Sequence, residues 1–203
     1  MKVETLVVGQ MATNCYIFAD NGYGVIIDPG DDAEYISDTL TRLSVKPIMI
    51  IATHGHFDHI MAAFAIQKIY DIPFTMHKDD EFLLANMQKN ARHFLGLPSV
   101  DPPPKVTKYL KGKDCIKVGS QTAVVVHTPG HTPGSVCLYI KDAGVLFVGD
   151  TIFAGGVVGR TDFSYSDQQK FSESLKTILS YPASTRILSG HGEESTVFSQ
   201  KHQ

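Results

Sequence analysis

Four potential metal ligands are crowded into a short segment of this chain. Residues 53–59 read Thr-His-Gly-His-Phe-Asp-His and offer three imidazoles and one carboxylate. Clustered imidazoles and carboxylates gain little from one another, whereas a divalent cation needs several such donors within about 2.0–2.2 Å. In an extended turn, positions two apart point the same way, so His54 and His56 can hold one ion. Asp58 and His59 follow at the start of the next predicted helix and face a neighbouring point, which predicts two adjacent metal ions.

Three further candidate ligands each follow a predicted strand. His131 lies in a turn rich in glycine and proline, Asp150 comes directly after an apolar run, and His191 stands between two glycines. Taken alone, each is more often a structural or surface residue than a ligand. Because strand ends on one edge of a sheet converge, we expect these side chains to meet the 53–59 segment.

The elements that must position these residues are short strands and amphipathic helices. Apolar runs predict strands at 6–8, 15–18, 25–27, 47–52, 74–76, 115–118, 123–126, 136–140, 145–148 and 186–188. Helices are predicted from about Asp58 to Tyr70, over 78–95, and from Ser166, which has capping-box spacing to Gln169. Strand-rich runs in each half, followed by helices, predict two sheets packed face to face with helices outside.

Composition limits the function classes. The chain has 203 residues, which favours a single domain over 1–203, and its formal charge of −3 gives no reason to expect nucleic acid or a membrane surface as partner. Cys15, Cys115 and Cys137 have no paired spacing, fall in predicted strands and are expected in the core. A sparse, odd cysteine count and an N-terminus unlike a signal peptide predict a cytoplasmic protein.

The order of these motifs resembles that of a known family. Asp28, the 53–59 segment, His131, Asp150 and His191 are similar to the five-motif pattern of the metallo-β-lactamase superfamily, from about residue 3 to residue 195. The resemblance implies an α+β fold, a four-layer αββα sandwich with a dinuclear metal site at one sheet edge. This agrees with the two packed sheets predicted from the strand pattern.

The resemblance also implies a role for each candidate residue. The first metal would be bound by His54, His56 and His131, the second by Asp58, His59 and His191, with Asp150 bridging both. Asp58 would orient the attacking hydroxide, and Asp28 would orient the cluster, although a turn cap after the third strand is an equal alternative for Asp28. The ligand set suits two divalent ions, zinc first, with iron or manganese also possible.

Two segments narrow the expected substrate. Residues 149–153 and 159–163 resemble the glyoxalase II-like branch, whose members hydrolyse thioesters such as S-lactoylglutathione by attack of metal-bound hydroxide. The 159–163 segment is also similar to that of persulfide dioxygenases, which use one iron. Only residues 192–203 follow the last ligand, too few for the helical domain that binds glutathione in glyoxalase II. We therefore expect a small thioester substrate, with glutathione recognition in question, and keep persulfide dioxygenation and a non-catalytic metal-binding module as alternatives.

Specificity is expected to arise outside the ligand set. Arg160 either shapes the site through an ion pair or holds a substrate carboxylate, or it is a buried partner for Asp162 or another acid. Residues 78–112 are read as an insertion that forms the pocket. Within it, the proline-rich loop 98–104 is predicted to be either a lid or a plain surface excursion.

Overall fold

Two six-stranded sheets packed face to face form the centre of the structure, and helices cover both outer faces. The computed structural model describes residues 1–202. This arrangement confirms the predicted αββα sandwich. Among the described residues, no helix is long and apolar enough to span a membrane.

The first sheet is built from the N-terminal half of the chain. In spatial order its strands are β1 (Lys2–Val8), β2 (Thr13–Asp20), β3 (Tyr23–Ile27), β4 (Lys46–Ile51), β5 (Phe74–His77) and β6 (Val106–Leu110). Strands β1 to β3 are antiparallel and β3 to β6 are parallel. The helices of this half are α1 (Ala33–Leu43), α2 (Ala63–Tyr70), α3 (Glu81–Ala85) and α4 (Met87–Leu95). Strand β6 was not predicted, because it is an edge strand whose middle residues are exposed and give no apolar run.

The second sheet is built from the C-terminal half. Its strands are β7 (Cys115–Val118), β8 (Gln121–His127), β9 (Val136–Ile140), β10 (Val145–Gly149), β11 (Arg186–Ser189) and β12 (Ser195–Thr196). Its helices are α5 (Gln168–Leu179) and α6 (Val197–Lys201). The residues after the last predicted ligand thus form β12 and α6, and Val197 packs beneath the second sheet.

Strands buried on both faces explain the continuous apolar runs in the sequence. Along β2, Ile17 points to the helices of its own half, whereas Phe18 points to the opposite sheet. Along β10, Phe147 enters the space between the sheets and Leu146 faces α5 and α6. The core between the sheets therefore fixes how far apart the two halves of the chain lie.

The predicted helix from Asp58 to Tyr70 is wrong in its first turn. Asp58 lies in a 3-10 turn (Phe57–His59), and the α-helix begins only at Ala63. The cause is a contact between residues distant in sequence. The backbone at Gly30 lies so close to the Asp58 carbonyl oxygen that a Cβ atom on residue 30 would not fit. The cluster residues therefore sit on a turn pressed against the end of β3.

The predicted cap of α5 is also wrong. Asp167, not Ser166, caps the helix, because its carboxylate accepts a hydrogen bond from Lys170 N at 3.0 Å. The Ser166 hydroxyl instead donates to the His131 carbonyl oxygen at 2.8 Å. The start of α5 is thereby attached to the loop that carries a candidate ligand.

The expectation that all three cysteines lie in the core holds for two of them. Cys15 and Cys137 are buried, but Cys115 is exposed. Cys115 begins β7, an edge strand in which exposed and buried residues alternate. Cys115 is at one of the exposed positions of this strand, so its side chain points to solvent.

Replacing Phe147 by alanine should destabilise the fold strongly. Its ring is fully buried between the sheets and packs edge-on against Tyr16 at 5.1 Å between centroids. We expect the free energy of unfolding, measured by urea denaturation, to fall by about 3–5 kcal/mol. Phe198→Ala is the matched control, because Phe198 is 57% exposed and should cost little. Equal losses for both variants would contradict the assignment of this core.

Candidate metal centre

Five strand ends meet at one edge of the sandwich. Asp28 follows β3, residues 53–59 follow β4, His131 lies beyond β8, Asp150 follows β10 and His191 lies just beyond β11. The predicted ligands form two adjacent clusters, and within each cluster the ligand atoms lie within 4.8 Å of one another. The structure thus brings together every residue that the sequence predicts for the metal site.

In the first cluster, three imidazoles point at one another. His54 Nε2 lies 3.0 Å and His131 Nε2 lies 3.1 Å from the same atom, His56 Nδ1. Asp150 Oδ2 is 3.8 Å from His131 Nε2 and completes the group. A single ring nitrogen cannot bond well to both neighbours, whereas nitrogens about this far apart fit the ligands of one tetrahedral ion. The cluster suits a cation better than a hydrogen-bond network.

The outward ring nitrogens of this cluster are all bonded to oxygen atoms. The pairs are His54 Nδ1 with Thr53 Oγ1 at 3.0 Å, His56 Nε2 with Tyr165 OH at 2.8 Å, and His131 Nδ1 with the Arg160 carbonyl oxygen at 2.8 Å. Such partners fix the tautomer and the orientation of a ligating imidazole. Each histidine therefore presents a defined nitrogen to the centre of the cluster.

Two buried atoms at the place where the second cluster meets Asp150 of the first have no hydrogen-bond partner among the described residues. His59 Nε2 lies 3.4 Å from Asp150 Oδ1 and 3.6 Å from Asp58 Oδ2, and His191 Nε2 lies 3.4 Å from Asp58 Oδ2. Among the described residues, neither His59 Nε2 nor Asp150 Oδ1 has a partner. Burying polar atoms unpaired is costly, and a cation between them removes that cost. These residues therefore fit a second metal ion.

Asp28 anchors the 53–59 segment from beneath. Its carboxylate accepts hydrogen bonds from Thr53 N and from Thr53 Oγ1, both at 2.7 Å, and it lies 3.0 Å from His59 Nδ1. The residue is buried, and its positive φ of 53° is unusual for a residue other than glycine. A strained backbone that aims a carboxylate at a ligand supports the orienting role over that of a turn cap.

The electrostatics of the site combine neutral imidazoles in the first cluster with an excess of negative charge around His59. Burial lowers the pKa of His54 well below its ordinary value, and burial together with the His131 ring lowers that of His56 to about 3. These rings are neutral, as metal ligands must be. Burial opposes protonation of His59, yet the surrounding carboxylates, led by Asp150, outweigh it and raise the pKa. The carboxylates around His59 therefore favour a positive charge on this side of the site.

Two glycines make room for Asp150. A Cβ atom on Gly190 would collide with Asp150 Oδ1 and lie 2.6 Å from the His59 ring, and one on Gly159 would collide with the Asp150 carbonyl oxygen. Glycine at both positions lets neighbouring loops close around the Asp150 carboxylate.

The N-terminal strands hold the last ligand loop in place. Asn14 Nδ2 donates to the carbonyl oxygens of Ser189 and Gly192, both at 2.9 Å. The Tyr16 hydroxyl also donates to the Ser189 carbonyl, at 2.6 Å. The loop that carries His191 is thus fixed by β2, from the opposite end of the chain.

A cavity of about 420 Å³ opens beside the ligands. Residues 78–112 contribute only Asn90 and Phe94 to its lining, and the loop 98–104, all of which the structure describes, contributes nothing. The expectation that this insertion forms the pocket is therefore largely wrong. The loop lies elsewhere because Val100 packs against the first core and its carbonyl accepts a hydrogen bond from Gln88. Most of the apolar wall comes from residues 153–165 instead.

Arg160 lines the cavity but is already paired. Its guanidinium donates two hydrogen bonds to Asp162, at 2.9 and 2.8 Å, and lies 4.6 Å from the centre of the Phe163 ring. The ion pair with Asp162 is present as one alternative predicted, but it is exposed rather than buried.

Asp80, which joins two ligand loops, was not predicted from any sequence pattern. This buried carboxylate accepts hydrogen bonds from Gly55 N at 2.9 Å, Thr132 Oγ1 at 2.7 Å and Gly134 N at 2.6 Å. It is the middle one of three consecutive acidic residues, 79–81, at the start of the predicted helix 78–95. Tyr165 was also missed, since an isolated tyrosine before a helix carries no ligand spacing.

Comparison with known proteins agrees with the fold and the site. The family model for the metallo-beta-lactamase superfamily matches residues 8–191. The chain therefore belongs to the metallo-β-lactamase superfamily of metal-binding hydrolases.

Individual relatives cover almost the whole chain. Hydroxyacylglutathione hydrolase GloC from Haemophilus influenzae is 30% identical, covering 99% of this chain and 95% of its own. The crystal structure of BLEG-1 B3 metallo-beta-lactamase has 32% identity and a TM-score of 0.91, covering 100% of this chain and 97% of that one. The structure of TTHA1623 in a di-iron-bound form has 31% identity and a TM-score of 0.89, covering 98% and 96%. The chain is thus similar to hydrolases with different named substrates and to a protein that holds iron.

Replacing Asp58 by alanine should remove one metal ion. The change deletes the carboxylate that faces His59 and His191, while the first cluster keeps its ligands. We expect metal content, measured by inductively coupled plasma mass spectrometry, to fall from two ions per chain to about one. Asp142→Ala, at an exposed position, is the matched control and should retain both. Equal metal content in wild type and D58A would rule out the two-ion assignment.

Replacing Asp80 by asparagine should loosen both ligand loops. The new amide NH2 group would face at least one of the donors that now bond to the carboxylate. We expect the free energy of unfolding, from urea denaturation at a fixed metal concentration, to fall by about 1–3 kcal/mol. The neighbouring exposed Asp79→Asn should change it little, and a similar loss in both variants would show that Asp80 has no special role.

Proposed function

We propose that this protein is a dinuclear metal-dependent hydrolase that cleaves a small thioester. The proposal rests on two buried atoms that have no hydrogen-bond partner among the described residues, His59 Nε2 and Asp150 Oδ1. They lie where the two ligand clusters meet. A binding module without catalysis has no need for an open cavity against such a centre, and here the cavity reaches the ligands themselves.

The ligands divide between two ions. The first would be held by His54, His56 and His131, the second by Asp58, His59 and His191, with Asp150 shared. When bound, two divalent ions lower the pKa of a water molecule to near neutrality and polarise a substrate carbonyl. Zinc is the first candidate, and the di-iron relative makes iron a second.

The protein itself orients the attacking water and lines the cavity with apolar side chains. Asp58 accepts a hydrogen bond from Thr13 Oγ1 at 3.3 Å and faces the cavity, so its carboxylate can accept a hydrogen bond from the attacking water and keep it aligned. The apolar side chains opposite exclude bulk water, which strengthens the electrostatic interactions inside. No serine or cysteine nucleophile is required for such a reaction.

A thioester is favoured over other acyl compounds by two observations. GloC, a relative along nearly its whole length, is named for hydrolysis of a glutathione thioester. The segments 149–153 and 159–163, which resemble the same branch in sequence, contribute Asp150, Phe153, Arg160 and Phe163 to the cavity lining. A β-lactam, the substrate class named for BLEG-1, needs the same kind of centre and is therefore a competing substrate to assay.

Persulfide dioxygenation is the second candidate. It rests on the 159–163 segment alone, and one iron needs only one set of ligands. The intact second cluster of Asp58, His59 and His191 favours hydrolysis.

The metal-loaded protein should hydrolyse thioesters without consuming oxygen. S-lactoylglutathione, S-acetyl-N-acetylcysteamine and a penicillin are assayed with zinc-, iron- and manganese-loaded protein, while an oxygen electrode follows glutathione persulfide. We expect thioester hydrolysis that is lost on chelation and in His131→Ala, and retained in Asp142→Ala. Oxygen uptake with one iron per chain and no hydrolysis would establish the dioxygenase instead. Hydrolysis of the penicillin alone would show that the substrate is a β-lactam and not a thioester.

A further inference from the structure

We infer that the cavity selects thioesters that carry an uncharged, apolar acyl chain, in preference to glutathione thioesters. This inference rests on the proposed hydrolase function and concerns only the part of the substrate beyond the scissile bond. It is drawn from the shape and charge of the cavity wall.

Exposed apolar side chains are concentrated around the mouth of the cavity. Met11, Phe94, Val157 and Val158 all line it, although each is between 45% and 65% exposed. Soluble proteins seldom gather large apolar side chains in one exposed place unless something binds there. These four come from three separate segments of the chain, so local sequence alone does not explain the patch.

Aromatic stacks extend this patch toward the ligands. The Phe57 and Phe94 rings are stacked 5.8 Å apart, and the Phe163 and Tyr165 rings 5.2 Å apart. Phe163 also packs edge-on against His56 at 5.3 Å. The Tyr165 hydroxyl is occupied by His56 Nε2 at 2.8 Å, so Tyr165 presents its ring rather than a polar group. An apolar chain can therefore run from the metal ligands to the surface along aromatic faces.

The cavity offers little to an anionic substrate. Arg160 is the only lysine or arginine among the described lining residues, and Asp162 neutralises it through two hydrogen bonds. Glutathione carries carboxylates at both ends, and recognising them calls for free cations or backbone donors. The carboxylates of glutathione would have to compete with Asp162 for the Arg160 guanidinium. An uncharged chain meets no such cost.

A chain-length series tests the inference on the intact, metal-loaded protein. The substrates are acetyl, butyryl, hexanoyl and octanoyl thioesters of N-acetylcysteamine, compared with S-lactoylglutathione. We expect kcat/KM to rise about threefold to fourfold per added methylene until the cavity is filled, and the octanoyl ester to exceed S-lactoylglutathione. A flat series, with S-lactoylglutathione preferred, would overturn the inference and leave the hydrolase intact.

Variants of the wall sharpen the test. Phe94→Ser and Val157→Ser should flatten the chain-length dependence, while Phe198→Ser, at a similarly exposed phenylalanine outside the cavity, should leave it unchanged. Asp162→Ala should free Arg160 and raise kcat/KM for S-lactoylglutathione about fivefold, with little effect on the acyl series. Wall variants that keep the wild-type slope would overturn the inference.

Binding without turnover separates this inference from the proposed function. Calorimetry of S-octyl-N-acetylcysteamine and S-octylglutathione, thioethers that cannot be hydrolysed, should show tighter binding of the neutral compound in wild type. Phe94→Ser should weaken the binding of both compounds, because both carry the octyl chain that Phe94 contacts in this proposal. Such binding with no hydrolysis of any thioester would refute the function and retain the apolar site. Equal or tighter binding of the glutathione compound in wild type would refute the preference against glutathione, and unchanged binding of both compounds to Phe94→Ser would refute the apolar site.

Discussion

A buried carboxylate oxygen that faces a buried imidazole nitrogen is the constraint on which the rest of the site depends. Asp150 Oδ1 and His59 Nε2 have no hydrogen-bond partner among the described residues. The surrounding structure maintains this arrangement: Gly190 leaves room for the carboxylate, and Asp28 holds the far side of the His59 ring. Because a cation is the natural partner for both atoms, we expect metal binding to stabilise this part of the fold.

Each cluster takes ligands from both sheets. In the first, His54 and His56 follow a strand of the first sheet, while His131 follows a strand of the second. Asp150, from the second sheet, belongs to the same group and also lies beside His59. The distances between ligands are therefore set by the packing of one sheet on the other. Since protein interiors are close-packed and stiff, a change in the core between the sheets is transmitted to the metal site.

The sequence predicts the ligands well because their chemistry is local. Four donors within the 53–59 segment, joined by single donors after later strands, form a pattern that is rare outside metal sites, and strands buried on both faces leave continuous apolar runs. What failed depends on contacts distant in sequence. Asp58 occupies a 3-10 turn because Gly30 presses against it, and Asp80 is buried because two loops close around its carboxylate. The cavity wall comes from 153–165 because the 98–104 loop packs on the helix layer, a choice made by tertiary structure.

The last ligand loop is held by the first strands, and this has a consequence for biosynthesis. Residues 53–59 leave the ribosome long before the loop that Asn14 and Tyr16 hold. Until His191 has emerged, the second cluster lacks one of its three candidate ligands. A chain interrupted before β11 lacks both this histidine and the hydrogen bonds by which Asn14 and Tyr16 hold its loop.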